Sequence, residues 1–412
     1  MRKSKDIGTV EFIVMMAFLM LLTAIAIDIM LPAFGQLREY FHLPEDSTAT
    51  AQIVTFFFMG QVGQLVFGPL SDRYGRLMTM RVGFLLYISG CIAAALSPSL
   101  NLIFVARFVA GLGTAALSVS AVTSVRDRFT GDKMARTMSF VMTIFLFTPI
   151  IAPILGTAIL AISSWQVVFL VPAVLGTIVF IWSFRLPESL PPERRLNLDA
   201  ATITQSVKKV LGNRTFVRYT AIVTIMFAAF SSYISSSEHM ISEIFKRPEL
   251  FAWIFAAVGA TMALFTFLNA QFVKRFGAQR TIRTLLVVYL VLAGIVLLLT
   301  LALHGLPNIF VFFAIIALLQ GIYVAAEPNS SALALEPMGA TAGMAAAIYG
   351  TSFFVVGSFL GSFIDRQLVN SVTPLAVGYV IAGLFALVLV FSGRTSTNAI
   401  NIPQEAISEI GD

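Results

Sequence analysis

Twelve runs of about 20 predominantly apolar residues recur along the 412-residue chain, and this spacing constrains the fold more than any single motif. At a rise of 1.5 Å per residue, a helix of that length crosses a hydrocarbon core of about 30 Å. The runs fall at 12–34, 50–70, 79–97, 101–123, 138–161 and 166–186, then at 216–237, 251–272, 283–303, 307–334, 342–364 and 372–392. A polar stretch beginning PESLPPERRLNLDA separates six from six. Charged residues make up only 12% of the chain, against about 25% in soluble domains, so each charge inside a run needs a reason. The expectation is an all-α membrane protein with an N-terminal six-helix bundle (1–186), a linker (187–215), a C-terminal six-helix bundle (216–393) and a tail (394–412).

The basic residues set the orientation. With the N-terminus in the cytoplasm, 22 of the 27 Lys and Arg residues fall on the cytoplasmic side, including Arg2, Lys3, Lys5, the central loop and Arg394. Four fall on the other side, Arg38, Lys246, Arg247 and Arg366, and Arg107 lies inside a span. The net charge of +6 therefore tracks membrane loops and points to the lipid bilayer rather than to nucleic acid. The N-terminal MRKSK with its apolar run reads as a first span, because the run exceeds a signal-peptide core and further spans follow. The single cysteine, Cys91, forms no intramolecular disulfide and reads as a small buried residue.

The two halves echo each other. DRYGRLMTMR (72–81) lies over KRFGAQRTIR (274–283) at an offset of 202 residues, so that Gly75 meets Gly277 and Arg81 meets Arg283. Each segment joins the second and third spans of its half. Parallel six-helix repeats are a transporter architecture with the site at the repeat interface.

The stretch GPLSDRYGR (68–76) resembles the loop signature of the major facilitator superfamily. That resemblance implies two six-helix bundles of the major facilitator fold, working by alternating access, with a monomer as the expected state. It assigns a cytoplasmic gate to Gly68, Asp72, Arg73, Gly75 and Arg76, with Asp127 as a partner. DIMLP (28–32), RFVAGLG (107–113) and PIIAPILG (149–156) resemble elements of twelve-span drug:proton antiporters, the last giving an antiporter motif at Pro149, Pro153 and Gly156, with Thr157 where a second glycine is usual. LPPERR and MSFVM are similar to the bicyclomycin/chloramphenicol resistance subfamily, Bcr/CflA.

Asp28 and Arg107 are the anomalous charges. A carboxylate at the centre of a span costs roughly 3 kcal/mol on insertion scales. Pro32 cannot donate to the carbonyl of residue 28, so the helix is expected to bend there. Spans one and four are neighbours in the superfamily, which implies an Asp28–Arg107 pair facing the central cavity that a proton or substrate breaks; a fixed structural pair is the alternative. Glu327, before Pro328, is a second proton site, a site for cationic substrate, or a cap on a bent helix. Glu238, His239, His42 and His304 end spans on the external side and read as solvated polar residues, and Glu11 as interfacial. Phe56, Phe57, Phe58 and Met59 in span two and Tyr349, Phe353 and Phe354 in span eleven are pocket candidates, set against lipid-facing packing. Gly111 and Gly113 suit close helix packing.

No phosphate-binding loop, metal-spaced His/Cys cluster or hydrolase motif is present in the sequence. A membrane enzyme is therefore the remote alternative, and no catalytic residue, metal or cofactor beyond coupling protons is expected. The function expected is proton-coupled export of small drugs of the chloramphenicol or bicyclomycin type from the cytoplasm across a bacterial inner membrane. The alternative is an exporter or symporter of a small metabolite or peptide.

Overall fold

The computed structural model describes residues 7–195 and 200–392. Arg2, Lys3 and Lys5, part of the expected linker and the expected tail lie outside the described residues. Twelve helices are long and apolar enough to cross a membrane. They are α1 (Thr9–Tyr40), α2 (Ala49–Tyr74), α3 (Arg76–Ala95), α4 (Leu100–Arg128), α5 (Arg136–Leu160) and α6 (Trp165–Ser183) in the first bundle, and α7 (Arg214–Ile244), α8 (Pro248–Phe276), α9 (Ala278–Ala302), α10 (Ile309–Gly339), α11 (Ala342–Asp365) and α12 (Thr373–Phe391) in the second. A helix over Ala200–Leu211 joins them. The twelve expected spans are all present. The face that carries the start of α1 and the end of α12 is called the basic face below.

Small residues set the packing inside the first bundle. A side chain at Gly90 would meet the backbone of Ala106 and Ala110, and one at Gly113 would meet the backbone of Tyr87. These glycines let α3 and α4 approach closely, as membrane helices do where lipid supplies no hydrophobic drive. Gly111 likewise admits the carbonyl of Phe57 on α2. Polar side chains cap several ends: Ser99, Asn213 and Asn308 accept the free N–H groups that open α4, α7 and α10.

The repeat is visible in the backbone. Gly75 (φ 100°) and Gly277 (φ 78°) form the same turn between the second and third helix of each half. That region is open essentially to glycine alone.

Contacts between halves involve α1 and α2 with α7, α2 with α11, and α5 with α8. A Cβ at Gly259 of α8 would lie 3.1 Å from the Cβ of Pro149 on α5. One residue of the expected antiporter motif therefore faces the other half.

Candidate functional site

The first helical segment of α1 ends at Asp28, a 3₁₀ turn covers Leu31–Ala33, and a second segment runs Phe34–Tyr40. Pro32 removes the donor that would have satisfied the carbonyl of residue 28, so the expected bend takes the form of a full interruption. Gly156 of α5 packs on this break, and a side chain there would overlap the carbonyl oxygen of Ile29. Thr157 bonds the carbonyl of Pro153 at 2.9 Å, within its own helix. The expected antiporter motif thus forms a seam: Gly156 rests on broken α1 and Pro149 on α8.

Asp28 is 5% exposed and has no hydrogen bond or ion pair among the described residues. The expected pair with Arg107 does not form. Arg107, 0% exposed, donates from Nη2 to the carbonyl of Ala26 at 2.8 Å and lies 4.3 Å from the centre of the Phe57 ring. Its Nε and Nη1 have no partner. Helix geometry gives the reason. Successive residues turn by about 100°, so Asp28 points about 200° away from Ala26. The Leu22–Ala26 face of α1 meets α3 and α4, where Tyr87 Oη also donates to the carbonyl of Leu22 at 3.0 Å. Asp28 turns the other way, into electrostatic reach of Tyr233 on α7. Phe57 is fully buried beneath Arg107.

Between the halves lies an aromatic cluster. Phe58 of α2 is 5.1 Å from Phe227 of α7 and 5.6 Å from Phe354 of α11, centre to centre. Phe353 and Phe354 are 4.1 Å apart, and Phe230 and Tyr323 4.4 Å. Phe353 and Phe354 sit in a π-helical segment, Ser352–Gly357, that re-aims consecutive side chains. Tyr349 extends the cluster to Phe353 at 5.7 Å and donates to the carbonyl of Glu327 at 3.1 Å. Met59 is half-buried on α2. Glu327 is half-buried, and the helix runs unbroken from Ile309 to Leu335 through Pro328. It sits mid-helix, so the expectation of a helix cap does not hold.

The residues of the expected gate motif assemble around Arg76. Its Nη1 bonds Asp72 at 2.6 Å, and its Nε bonds Asp127 at 2.9 Å. Glu188 accepts from the backbone N–H groups of Arg76 and Leu77 at 3.0 and 3.1 Å. It thereby caps α3 with a carboxylate where the helix dipole favours one. Glu188, in the PESLPP stretch, was not singled out from the sequence. Arg73 does not join: it is exposed and lies over the Tyr74 ring at 5.2 Å. Gly75 carries the turn, whereas Gly68 has nothing near its Cβ position. Asp72 and Asp127 belong to the first half, and Glu188 to the segment that directly follows it. Among the described residues no ion pair links the halves at the basic face.

The link between halves is at the opposite face. Arg38 at the end of α1 meets Glu238 of α7 through two parallel bonds, 2.8 and 3.0 Å, and Glu243 at 2.9 Å. Glu238 and His239 were expected to be solvated; they are 4% and 2% exposed. The reason is that Arg38 neutralises the glutamate, and the two halves close over the pair. His42 and His304 are exposed as expected. The sequence did offer a signal for the pair: Arg38 and Glu238 close the corresponding first spans of the two halves. Nearby, Asp365 of α11 is 1% exposed and accepts from Ser232, Ser235 and Ser236 at 2.6, 2.9 and 3.0 Å. It too was missed, although the serine run SSYISSS invited a buried acceptor. Glu11 bonds Trp182 at 2.9 Å and Arg185 at 3.2 Å near the start of α1.

Comparison with known proteins follows the same lines. The family model described as Major Facilitator Superfamily matches residues 16–362. The uncharacterized MFS-type transporter YdgK of Bacillus subtilis is 27% identical over 386 residues, 90% of this chain and 93% of that protein. A bicyclomycin resistance protein homolog of Haemophilus influenzae is 27% identical over 378 residues, 89% of this chain and 92% of that protein. The crystal structure of a D-xylose-proton symporter superposes with a TM-score of 0.73 at 16% identity, over 92% of this chain and 97% of that one, which establishes the fold alone.

Proposed function

We propose that this chain, which belongs to the major facilitator superfamily, a family of transporters rather than enzymes, exports small drug-like molecules in exchange for protons. The substrates are of the chloramphenicol or bicyclomycin type, the working unit is a monomer, and the location is a bacterial inner membrane with both termini in the cytoplasm. The excess of Lys and Arg on the basic face supports that orientation, and the bicyclomycin resistance relative supports the substrate class.

The observation that carries the reading is Asp28. It is a buried carboxylate without a hydrogen-bond or ion-pair partner among the described residues, at a helix break, and turned from the first half towards the second. A buried charge needs a counter-charge or a proton. A proton and a cationic or polar drug therefore compete for one carboxylate, and that competition is antiport. The aromatic cluster shared by α2, α7, α10 and α11 supplies apolar surface for the rest of the drug. Glu327 stands at its other end, on the way to the basic face, as a second site for a proton or a cationic group. Arg107 holds the closed backbone of α1 from behind through Ala26.

Export rather than import is the direction favoured by the resemblance of PIIAPILG (149–156) to an antiporter element. The form described here is shut at the face opposite the basic one by Arg38 and Glu238. In this reading, the form that receives drug from the cytoplasm is one shut at that face. Arg38 lies on α1 beyond the break at Asp28, so a change of partner at Asp28 is transmitted to the segment that carries the latch.

The test is accumulation of a chloramphenicol-type drug in inverted vesicles with an imposed pH gradient. Uptake that follows the gradient and is abolished by a protonophore is the expected result. Uptake that ignores the gradient would refute proton coupling. No uptake of any drug of this class would turn the assignment to a metabolite exporter.

A further inference from the structure

Away from the centre of the molecule, a cavity of about 640 Å³ opens between the ends of α8 and α9 at the basic face. α8 packs mainly on α10, α9 packs on α12 and α10, and the two pack little on each other; Ala325 of α10 forms the floor of the gap between them. The walls are apolar, formed by Phe265, Leu268 and Phe272 of α8 and Leu285 of α9. At the rim stand Arg280 and Arg283. Phe272 and Phe276 are 50% and 45% exposed, so the gap opens on the outer, lipid-facing side of the second bundle. Beyond it, exposed Val287, Val288 and Val291 continue along α9 towards the middle of the membrane.

The charges at this rim are unbalanced. In the corresponding turn of the first half, Arg76, whose counterpart is Ala278, is neutralised by Asp72 and Asp127. In the repeat, Lys274 stands where Asp72 does, and no acidic residue occurs in 274–283. Lys274, Arg275, Arg280 and Arg283 make no ion pair among the described residues. The Nε of Arg283 is buried with no hydrogen-bond partner among the described residues, and the guanidinium lies 5.5 Å from the centre of the Phe391 ring. An apolar slot with uncompensated guanidinium groups at the headgroup level of one leaflet matches an amphiphile with an anionic head and an acyl tail.

We propose that this cavity binds an anionic glycerophospholipid, with its phosphate at Arg280 and Arg283 and one acyl chain between α8 and α9. Zwitterionic lipids of the same chain length fit the slot but leave the arginines unmatched, so they bind more weakly. Each arginine contributes about fivefold in affinity.

Native mass spectrometry of the purified full chain, titrated with dioleoyl phosphatidylglycerol or dioleoyl phosphatidylcholine, tests this. The wild type is expected to retain one phosphatidylglycerol at concentrations where phosphatidylcholine is lost. Arg280→Gln with Arg283→Gln is expected to lower phosphatidylglycerol retention at least tenfold and leave phosphatidylcholine unchanged. Thr284→Trp, which fills the slot from an exposed position, lowers both. Arg73→Gln, at an exposed site on the other half, changes neither. The thermal midpoint in detergent checks that each variant is folded, and Arg280→Gln alone suffices if the double variant is not. Equal retention of the two lipids, no loss in the folded arginine variants, or displacement of the lipid by millimolar inorganic phosphate would each overturn the proposal.

Discussion

Arg38 joins the two halves by ion pairs at the face opposite the basic one, and its loss is expected to open that face. Its side chain is 4% exposed, that of Glu238 5% and that of Glu243 22%. Removing one partner of a buried pair costs about 3–5 kcal/mol, because the other charge is left without compensation. The pair links α1 to α7, so that cost falls on the form closed at this face and not on a form open there. A shift of 3–5 kcal/mol changes the ratio of two conformers by about two to three and a half powers of ten. Arg38→Met is therefore expected to populate the form open at this face. Glu238→Gln is expected to do less, because Arg38 keeps Glu243 at 2.9 Å. Glu243→Gln should do least, since its carboxylate is already partly hydrated. The assay is a spin–spin distance between labels at exposed Glu45 and Leu306, in a Cys91→Ala background that removes the sole cysteine. The expected order of growth in the long-distance population is Arg38→Met, then Glu238→Gln, then Glu243→Gln. The charge-swapped pair Arg38→Glu with Glu238→Arg should restore part of the short distance. Equal distance distributions in Arg38→Met and wild type would refute the latch.

Three further outcomes follow from the same geometry. Arg107→Leu should leave the thermal midpoint in detergent unchanged or raised, because only one of its guanidinium hydrogen bonds is satisfied; drug transport should fall at least tenfold, and a large loss of stability with retained transport would contradict its role behind α1. Gly156→Val should cost about 1–3 kcal/mol of stability through overlap with the Ile29 carbonyl, read by denaturation in mixed micelles, and should block transport. Gly75→Ala should destabilise by about 1–3 kcal/mol because φ of 100° excludes side chains, whereas Gly68→Ala, with open space at its Cβ, should be neutral in the same measurement.

The spans and their order were legible because hydrocarbon thickness imposes one length on every crossing helix. The turn at Gly75 and its repeat at Gly277 were legible for a similar reason, since the backbone there admits no other residue. Asp28 was legible as an anomaly, but its partner was not. Which side of α1 faces α4 depends on the phase of one helix against another, and a two-residue difference from Ala26 reverses the direction of the side chain. The Arg38–Glu238 pair eluded local reading because its members are 200 positions apart, and each alone resembles a hydrated end residue. Glu188 eluded it because a carboxylate in a proline-rich loop becomes a helix cap only once the loop folds back onto α3.

The central claim is that Asp28 exchanges a proton for substrate. The most direct measurement is proton release into a weakly buffered solution when a chloramphenicol-type drug is added to purified protein. Release is expected from the wild type, with drug affinity rising as pH rises because fewer protons compete for the carboxylate. Glu327→Gln should lower the number released if it is a second site. Asp28→Asn should release none from this position and bind drug with an affinity that no longer depends on pH through it. Proton release and pH dependence identical to wild type in Asp28→Asn would contradict the account.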